Sequence, residues 1–579
     1  MTERDQKGNM EERRLLLALA LSILVMTAWG YLYGPKAGGP RPTPTPVSPA
    51  SLAPSPPPPT EATPTPTVPA EHNKAPAAFP TVAAEGERRV EALTPRAALA
   101  FTNKGASLLS WRLSRYLDAQ GRGEDMVRAG RNAKRPLDLQ TGDAEIDARL
   151  REALFQPAAE PGFAAGETLT LNVPVGGEAE LRFTWAEGGL EARKSLRFLR
   201  DGDLVAVSAT VKRDGRPLPV KVLFGPGLGT PTAEEKAVSG YAPAQGVVLG
   251  GAGVERFPAA KLTEPRRFAA VRWIGIENRY FAALLVPGGD KGGEVQAVSV
   301  PVVPADEGKT EPAALVAVEM GGEPALLFVG AKDYYALRAL RHSFEEVVDI
   351  GSWIGPIVKP MLLILPRVHG LLGNYGWSIL ALTVVINLIM APLRHYSFSN
   401  SLRMAKVAPE VRVIQERYRK VPLLERQAMN EEVAKVYERH GMNMSTQMTM
   451  GCLPMLLTMP FLFAIYRVLQ VSIELRGASF LWIRDLSQPD PLYLTPLLMG
   501  GSMLLMQKMT PAGTMDPAQQ KMMMIMPVML TVMFVAAPAG LNLYWLASNV
   551  CSIIQQGVTM RLIGGREASP APGRERRKK

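Results

Sequence analysis

The sequence predicts a polytopic α-helical membrane protein with six transmembrane helices and a large all-β domain outside the membrane. Three observations predict it. Between Trp353 and Arg561 lie five apolar stretches, each about the ~20 residues a helix needs to cross a bilayer. A further apolar run lies near the N-terminus, and much of the chain between alternates apolar and polar residues as half-buried strands do. Lysine and arginine gather in the segments that this layout puts on one side of the membrane.

Composition narrows the class. The chain has 579 residues, with 65 Lys and Arg against 54 Asp and Glu, a net charge of +11. Such a balance often marks a nucleic-acid binder. Here the excess sits beside the apolar runs, which is a topology signal, so no specific nucleic acid is expected as partner. Two cysteines, Cys452 and Cys551, fall in or at the edge of expected spans. They exclude a disulfide framework and a cysteine-based zinc motif. The five histidines show no metal-ligand spacing. Gly308-Lys309-Thr310 resembles the end of a phosphate loop, but Val303 stands where its first glycine must be. No metal, cofactor or nucleotide is expected.

Residues 1–34 read as a basic N-terminus and a first anchor. The run from Leu15 ends in Trp29, Tyr31 and Tyr33, an aromatic belt at the far interface. A cleaved signal peptide is the rival reading. The run is long for an h-region and no A-x-A site follows, which favours the anchor. Residues 35–84 are dense in Pro, Thr, Ser and Ala and suit an extended spacer. Residues 85–345 read as the β domain. Leu181 to Trp185, Ala192 to Leu199 and Leu204 to Val211 alternate or are β-branched, with Asp201-Gly202-Asp203 as a turn. Further strands are expected near Ala269 to Ile276 and Ala314 to Val318. Helical crossovers are scarce, so a two-sheet sandwich fits better than a parallel sheet. No clustered acid/base pair argues for catalysis. A short helix near Asp333 to Val348 leads back to the membrane.

Residues 346–374 are apolar but carry Pro356, Pro360 and Pro366 with Lys359 and Arg367. The prolines interrupt the apolar run, which suits an amphipathic helix lying in the interface better than one crossing it. The next span covers 375–393. Residues 394–450 follow, with ten Lys or Arg against six Glu between Arg394 and His440. Val407, Val411, Ile414 and Tyr418 recur at helical spacing, and so do Met429, Val433, Val436 and Tyr437. The segment therefore reads as an antiparallel helical hairpin whose two apolar stripes cover each other. It is either a solvated structural hairpin or a docking arm, and charge alone does not choose. Residues 451–562 hold four more spans, and 563–579 form a basic tail. Positive charge then puts both termini and the hairpin inside and the β domain outside.

Polar side chains sit within the spans: Thr383, Asn387, Gln507, Asn542 and Asn549. Lipid cannot satisfy them, so they line a polar space or bond neighbouring helices. Thr383 and Asn387 are four apart and share a face. Asn542, Trp545, Asn549 and Ser552 recur at helical spacing and suggest one polar face in the last span. Arg394 marks the inner mouth and can attract acidic chains. Arg467 lies near the outer interface, where it can snorkel.

Several strings now coincide in order. Gly376-Trp-Ser-Ile-Leu-Ala-Leu-Thr383 leads to Ile389-Met-Ala-Pro-Leu393. Cys452-Leu-Pro454, Met459-Pro460, Ser472-Ile-Glu-Leu475 and Trp482-Ile-Arg-Asp-Leu486 follow. Then come Gln507-Lys-Met-Thr-Pro511, Met526-Pro527, Pro538-Ala-Gly-Leu541, Tyr544, Ser548-Asn549 and Ile554-Gln-Gln556. The chain resembles YidC-type membrane protein insertases of Gram-negative bacteria. The resemblance is strong over 350–560 and weaker in the outer domain, around Asn103-Lys-Gly-Ala106, Tyr280-Phe281 and Val329-Gly330.

The resemblance implies a five-helix insertase core around a hydrophilic groove, open to cytoplasm and lipid and closed to the outside. It implies a periplasmic β-supersandwich similar to sugar-mutarotase folds, which carries no sugar chemistry by itself. Substrates would be nascent inner-membrane proteins, inserted alone or beside the Sec translocon. Ribosomes or targeting factors would meet the hairpin and basic tail. The protein would not be an enzyme. One departure stands out: Asn387 occupies the place where most members carry a mid-groove arginine, so Asn387→Arg is expected to be tolerated. Tyr544 and Trp545 align with a paired-aromatic position, Trp545 replacing a common tyrosine. The rival classes are a polytopic transporter, which would favour inverted repeats, and a membrane-tethered carbohydrate-active protein.

Overall fold

The computed structural model describes residues 81–567, apart from 119, 129–133, 165–167, 201, 232–242, 302–309, 352, 419–425, 441–458 and 511–516. The expected anchor, most of the Pro-rich spacer, Cys452, the start of the second core span and residues 568–579 of the basic tail lie outside the described residues.

Strands begin where side chains alternate. Leu190–Phe198 turns every second residue inward: Leu190, Ala192, Lys194, Leu196 and Phe198 are buried. It pairs with Leu204–Arg213 so that Val207 faces Leu196 and Val211 faces Ala192. These two strands belong to a long antiparallel sheet. It runs from Gly253–Phe257 through Trp273–Glu277, Phe281–Val286 and Ala325–Ala331 to Gln156–Glu160. Two five-stranded sheets accompany it. One is centred on Ala97–Thr102, the other on Thr310–Glu319. A single apolar core draws on all three, with Phe101, Phe183, Leu196, Phe224, Ile276 and Val316 among its members.

The expected two-sheet sandwich is thus corrected to three sheets among the described residues. The strand expected from Ala269 begins only at Trp273, since the chain bends at 269, 270 and 272. The domain is also not wholly β. Ala144–Glu152 is a helix (α1), whose Asp143 cap accepts from the amides of Glu145 and Ile146. Ile146 and Leu150, four apart, bury its inner stripe.

Lys194 is the odd member of that inward row. It is 1 % exposed, and its ammonium donates to the carbonyls of Ala106 (2.7 Å) and Leu137. Ala106 and Leu137 both have positive φ, so neither turn can use those carbonyls in a ladder, and the buried cation answers them. Nearby Asp138 accepts from Ser107 Oγ and the Arg135 amide.

Helices follow the domain in chain order. They are α2 (Tyr334–Ala339), capped by Asp333, and α3 (Gly355–Leu372). A helix is present where one is expected, and Pro360 and Pro366 lie inside α3 without ending it. Next is α4 (Tyr375–Arg417), which runs past the expected span end at Leu393 straight into the hairpin. Its return arm is α5 (Arg426–Arg439). Val407, Val411 and Ile414 pack on Val433, Val436 and Tyr437, as the two stripes predict. The remaining helices are α6 (Met459–Val471), α7 (Leu494–Met509), α8 (Pro517–Phe534) and α9 (Ala539–Glu567). Among the described residues, α4 alone is both long and apolar enough to cross a membrane on those measures. Part of α8 and all of α6 are shorter apolar helices. Outward-facing apolar rows on α4 (Val384, Leu388), α8 (Met529, Val532) and α9 (Ile554, Val558) are exposed.

The loop after α6 joins the two parts. Ile473 enters the core of the β domain. Arg476 pairs with Glu124 at 2.9 Å and lies over the Phe281 ring. Further on, Phe480 lies against the start of α4. Asn374 caps that start and donates to the Ser479 carbonyl. Gly376 is required there, because a Cβ would stand 2.1 Å from a Phe480 ring carbon.

Two outcomes follow from this packing. Gly376→Ala should lower the thermal transition of the purified chain, by the ~1–3 kcal/mol that overpacking costs. Gly370→Ala in α3, where a Cβ meets nothing within 4 Å, should not; equal melting of the two variants would refute the contact. The second outcome concerns Lys194, whose pKa burial pushes down from 10.5 to about 8. The unfolded chain then binds more protons between those two values. This group's contribution to stability therefore rises with pH from about 8 to about 10.5 and is flat below. Urea midpoints across that range should show the rise in the native chain and lose it in Lys194→Met.

Candidate functional site

The polar residues picked out within the spans converge only in part. α4 and α9 pack along their length, and the side chains between them form a polar seam. Thr383 is fully buried and turns its hydroxyl onto the Ile379 carbonyl of its own helix (2.7 Å). One turn below, Asn387 Nδ2 donates to the Thr383 carbonyl (2.8 Å). That leaves Asn387 Oδ1 free to accept, and two donors reach it. One is Ser548 Oγ of α9, at 3.4 Å. The other is Arg394 Nη1.

The second donor changes the reading of the site. Arg394 is seven residues past Asn387, about 10 Å further along the helix. Helical side chains lean toward the N-terminus, and an extended arginine of about 7 Å spans more than one turn of ~5.4 Å, the hydrogen bond and the asparagine side chain closing the rest. Its guanidinium therefore does not sit at the mouth, where the backbone position alone would put it. It is drawn back to Asn387 and also donates to Ser552 Oγ of α9 (3.0 Å). No carboxylate pairs with it among the described residues. Ser552 in turn donates to the Ser548 carbonyl (2.9 Å). Below, Gln555 Nε2 donates to the Ala391 carbonyl (2.6 Å), and His395 Nδ1 lies 2.9 Å from Thr559 Oγ1. Tyr544 is buried one turn above Ser548 and continues that face upward.

The other residues go elsewhere. Asn549 Nδ2 donates to Ser502 Oγ of α7 (2.9 Å). Asn542 Nδ2 donates to the Phe534 carbonyl at the end of α8 (3.1 Å). Trp545 stands edge-on to the Phe534 ring, with centroids 4.9 Å apart. The single polar face expected on the last helix is thus two faces. Asn542, Trp545 and Asn549 turn to α7 and α8; Ser552 turns to α4. Gln507 Oε1 and Asn542 Oδ1 are buried with no hydrogen-bond partner among the described residues. Ser548, Gln555 and Thr559 were not picked as site residues. Their spacing with Ser552 (548, 552, 555, 559) is the helical signal that marks them.

Relatives of this chain are found among membrane insertases. A family model described as the 60Kd inner membrane protein matches residues 367–566. One described as the YidC periplasmic domain matches 89–364. The chain is 33 % identical over 495 residues to the membrane protein insertase YidC of Geobacter sulfurreducens, covering 82 % of this chain and 86 % of that one. It is 31 % identical over 585 residues to the Geobacter metallireducens protein of the same name, covering 96 % and 100 %. A crystal structure of an active YidC insertase with its first transmembrane domain resolved aligns with 83 % of this chain and 95 % of that one, at 16 % identity and a TM-score of 0.34. Matched over almost its whole length by relatives of about a third identity, the chain belongs to the YidC family of membrane protein insertases.

Proposed function

We propose that the α4–α9 seam is the groove through which this insertase passes polar segments, and that Arg394 supplies its positive charge. The observation that carries the reading is the Arg394 guanidinium, held back between Asn387 and Ser552 with no carboxylate beside it among the described residues. A cation at that level does the work of the family's mid-groove arginine, although it hangs from a residue two turns lower. Asn387 becomes the acceptor that orients it.

Family membership makes the chain an insertase of the inner membrane, not an enzyme; its substrates are membrane proteins and its surroundings lipid. In the proposed cycle a polar tail of a nascent protein enters from the cytoplasm. It exchanges water for the hydroxyls of Ser548 and Ser552, the amide of Asn387 and the Arg394 charge. The seam lowers the cost of carrying polar groups through hydrocarbon. The attached apolar segment leaves along the exposed faces of α4 and α8. Its transfer, roughly 25 cal/mol per Å² buried, drives the step. Thr383 and Tyr544 line the upper seam. Asn542, Trp545 and Asn549 hold α9 against α7 and α8, and Gln507 offers an acceptor from α7.

The same reading extends to topology and partners. The N-terminal anchor with α4, α6, α7, α8 and α9 makes six spans. Both termini and the α4–α5 hairpin are cytoplasmic, and the β domain is periplasmic. The hairpin and basic tail meet ribosomes or targeting factors, and the Sec translocon is a partner for larger substrates.

The test uses liposomes holding only the purified chain, a small membrane-protein substrate, no nucleotide, and protease protection as readout. The native chain should protect the substrate above empty liposomes. Arg394→Ala should cut insertion of an acidic-tailed substrate roughly tenfold or more, the scale of a lost charge-assisted hydrogen bond. A neutral-tailed substrate should suffer less. Because Asn387 is the acceptor for Arg394, Asn387→Arg alone should now impair insertion by placing two guanidiniums together. The exchange N387R/R394N should recover most of the activity. If the exchange were as inactive as Arg394→Ala at equal expression, the shared-charge account would fail.

A further inference from the structure

A second polar feature lies away from the seam. Between the β domain and the outer ends of α6, α8 and α9 is a cavity of about 580 Å³, within the ordinary size of ligand sites. Its two walls differ in chemistry. The helices give it an apolar wall that includes Leu462, Phe463, Met533, Phe534, Leu541 and Trp545. The opposite wall is charged.

The charges do not balance. Glu277 is 2 % exposed and accepts from both Arg256 (2.7 Å) and Lys332 (2.9 Å). Asp349 pairs with Arg467. Arg279 has no carboxylate among the described residues. Its Nε donates to the Gln470 carbonyl (3.2 Å), and its guanidinium lies 5.0 Å from the Tyr280 ring centre. Four cations thus face two carboxylates in one half-enclosed space. Gln470 also accepts from Arg467 Nη1 through its side chain (3.0 Å). One residue therefore anchors both Arg279 and Arg467, and leaves donors on each for a shared anion. Guanidinium pairs of this kind suit phosphate, whose oxygens accept several N–H groups at once.

The apolar wall says what the anion is attached to. Met533 is 62 % exposed, and Met529 and Val532 on the same helix are 63 % and 70 % exposed. The wall therefore continues sideways into the face that α8 presents to lipid. An inorganic anion makes no use of that wall. A polar chain in transit has no use for it either. A phospholipid uses both halves at once.

We propose that this cavity binds one anionic phospholipid from the leaflet on the β-domain side. Its phosphate sits on Arg279 and Arg467, and its acyl chains lie along Met529, Val532 and Met533. The bound lipid fills the gap between the domain and the helices and couples them.

The test uses the full chain, delipidated in neutral detergent. Thermal unfolding is followed on adding phosphatidylglycerol, phosphatidylcholine, inorganic phosphate or an acidic peptide. Native mass spectrometry counts lipids retained. The expected result is a rise of several degrees with phosphatidylglycerol, less than half of that with phosphatidylcholine, and none with phosphate or peptide. Arg279→Gln should lose most of the phosphatidylglycerol shift and one retained lipid, and Arg279→Lys should keep part of both. Equal shifts in the native chain and Arg279→Gln, with equal lipid retained, would overturn the proposal. So would a shift reproduced by phosphate alone, which would mean a plain anion site. A shift reproduced by the peptide would also overturn it, in favour of a site for translocated chain.

Discussion

Hydrocarbon offers no hydrogen-bond partner, so a polar group at membrane depth must be answered from within the protein or by a polar guest. Among the described core helices of this insertase, most polar side chains are answered through α9. One of its faces meets α4 through Ser548, Ser552, Gln555 and Thr559. Another reaches α7 through Asn549 and the end of α8 through Asn542. The helix is therefore the common partner of three others. The seam on its α4 side contains a cation whose local partners, an amide oxygen and a hydroxyl, are neutral. Neutral partners hold a guanidinium in place without cancelling its charge.

The β domain obeys the same rule in a different solvent. Among the described residues, its buried charges are each tied to specific oxygens or cations. Lys194 closes two turns whose carbonyls point inward. Glu277 gathers Arg256 and Lys332 beside the helical core. The domain is not merely tethered, because Ile473 from the loop after α6 enters its core and Arg476 pairs with Glu124. The same loop carries Phe480, which closes over Gly376 at the head of α4. A displacement of the domain would thus be felt at the upper end of the seam helix.

Much of this was legible in the chain. The stripes Val407–Val411–Ile414 and Val433–Val436–Tyr437 identified the hairpin, and the alternation around Leu196 and Val207 identified paired strands. Some of it was not. The prolines before α4 left open how far the expected helix runs without interruption; α3 is continuous, because tertiary packing of Val358, Met361 and Leu365 outweighs the lost backbone bonds. The helix α1 was hidden in a polar stretch whose inner stripe is only Ile146 and Leu150. The position of Arg394 marked it as a residue of the mouth. Its side chain, leaning back along the helix, makes it a residue of the interior.

The sequence by itself determined which segments are apolar enough for lipid, which alternate into strands, where charge collects, and to which family the motifs point. These are local properties, set by side-chain chemistry and by periods of 2 and 3.6 residues. Only the tertiary structure decided that three sheets share the core, that the polar residues of α9 divide between two neighbours, and that Arg394 answers Asn387. A period says that residues share a face but not which helix that face meets. A side chain several ångströms long can move its charge more than one turn of ~5.4 Å from the backbone that carries it.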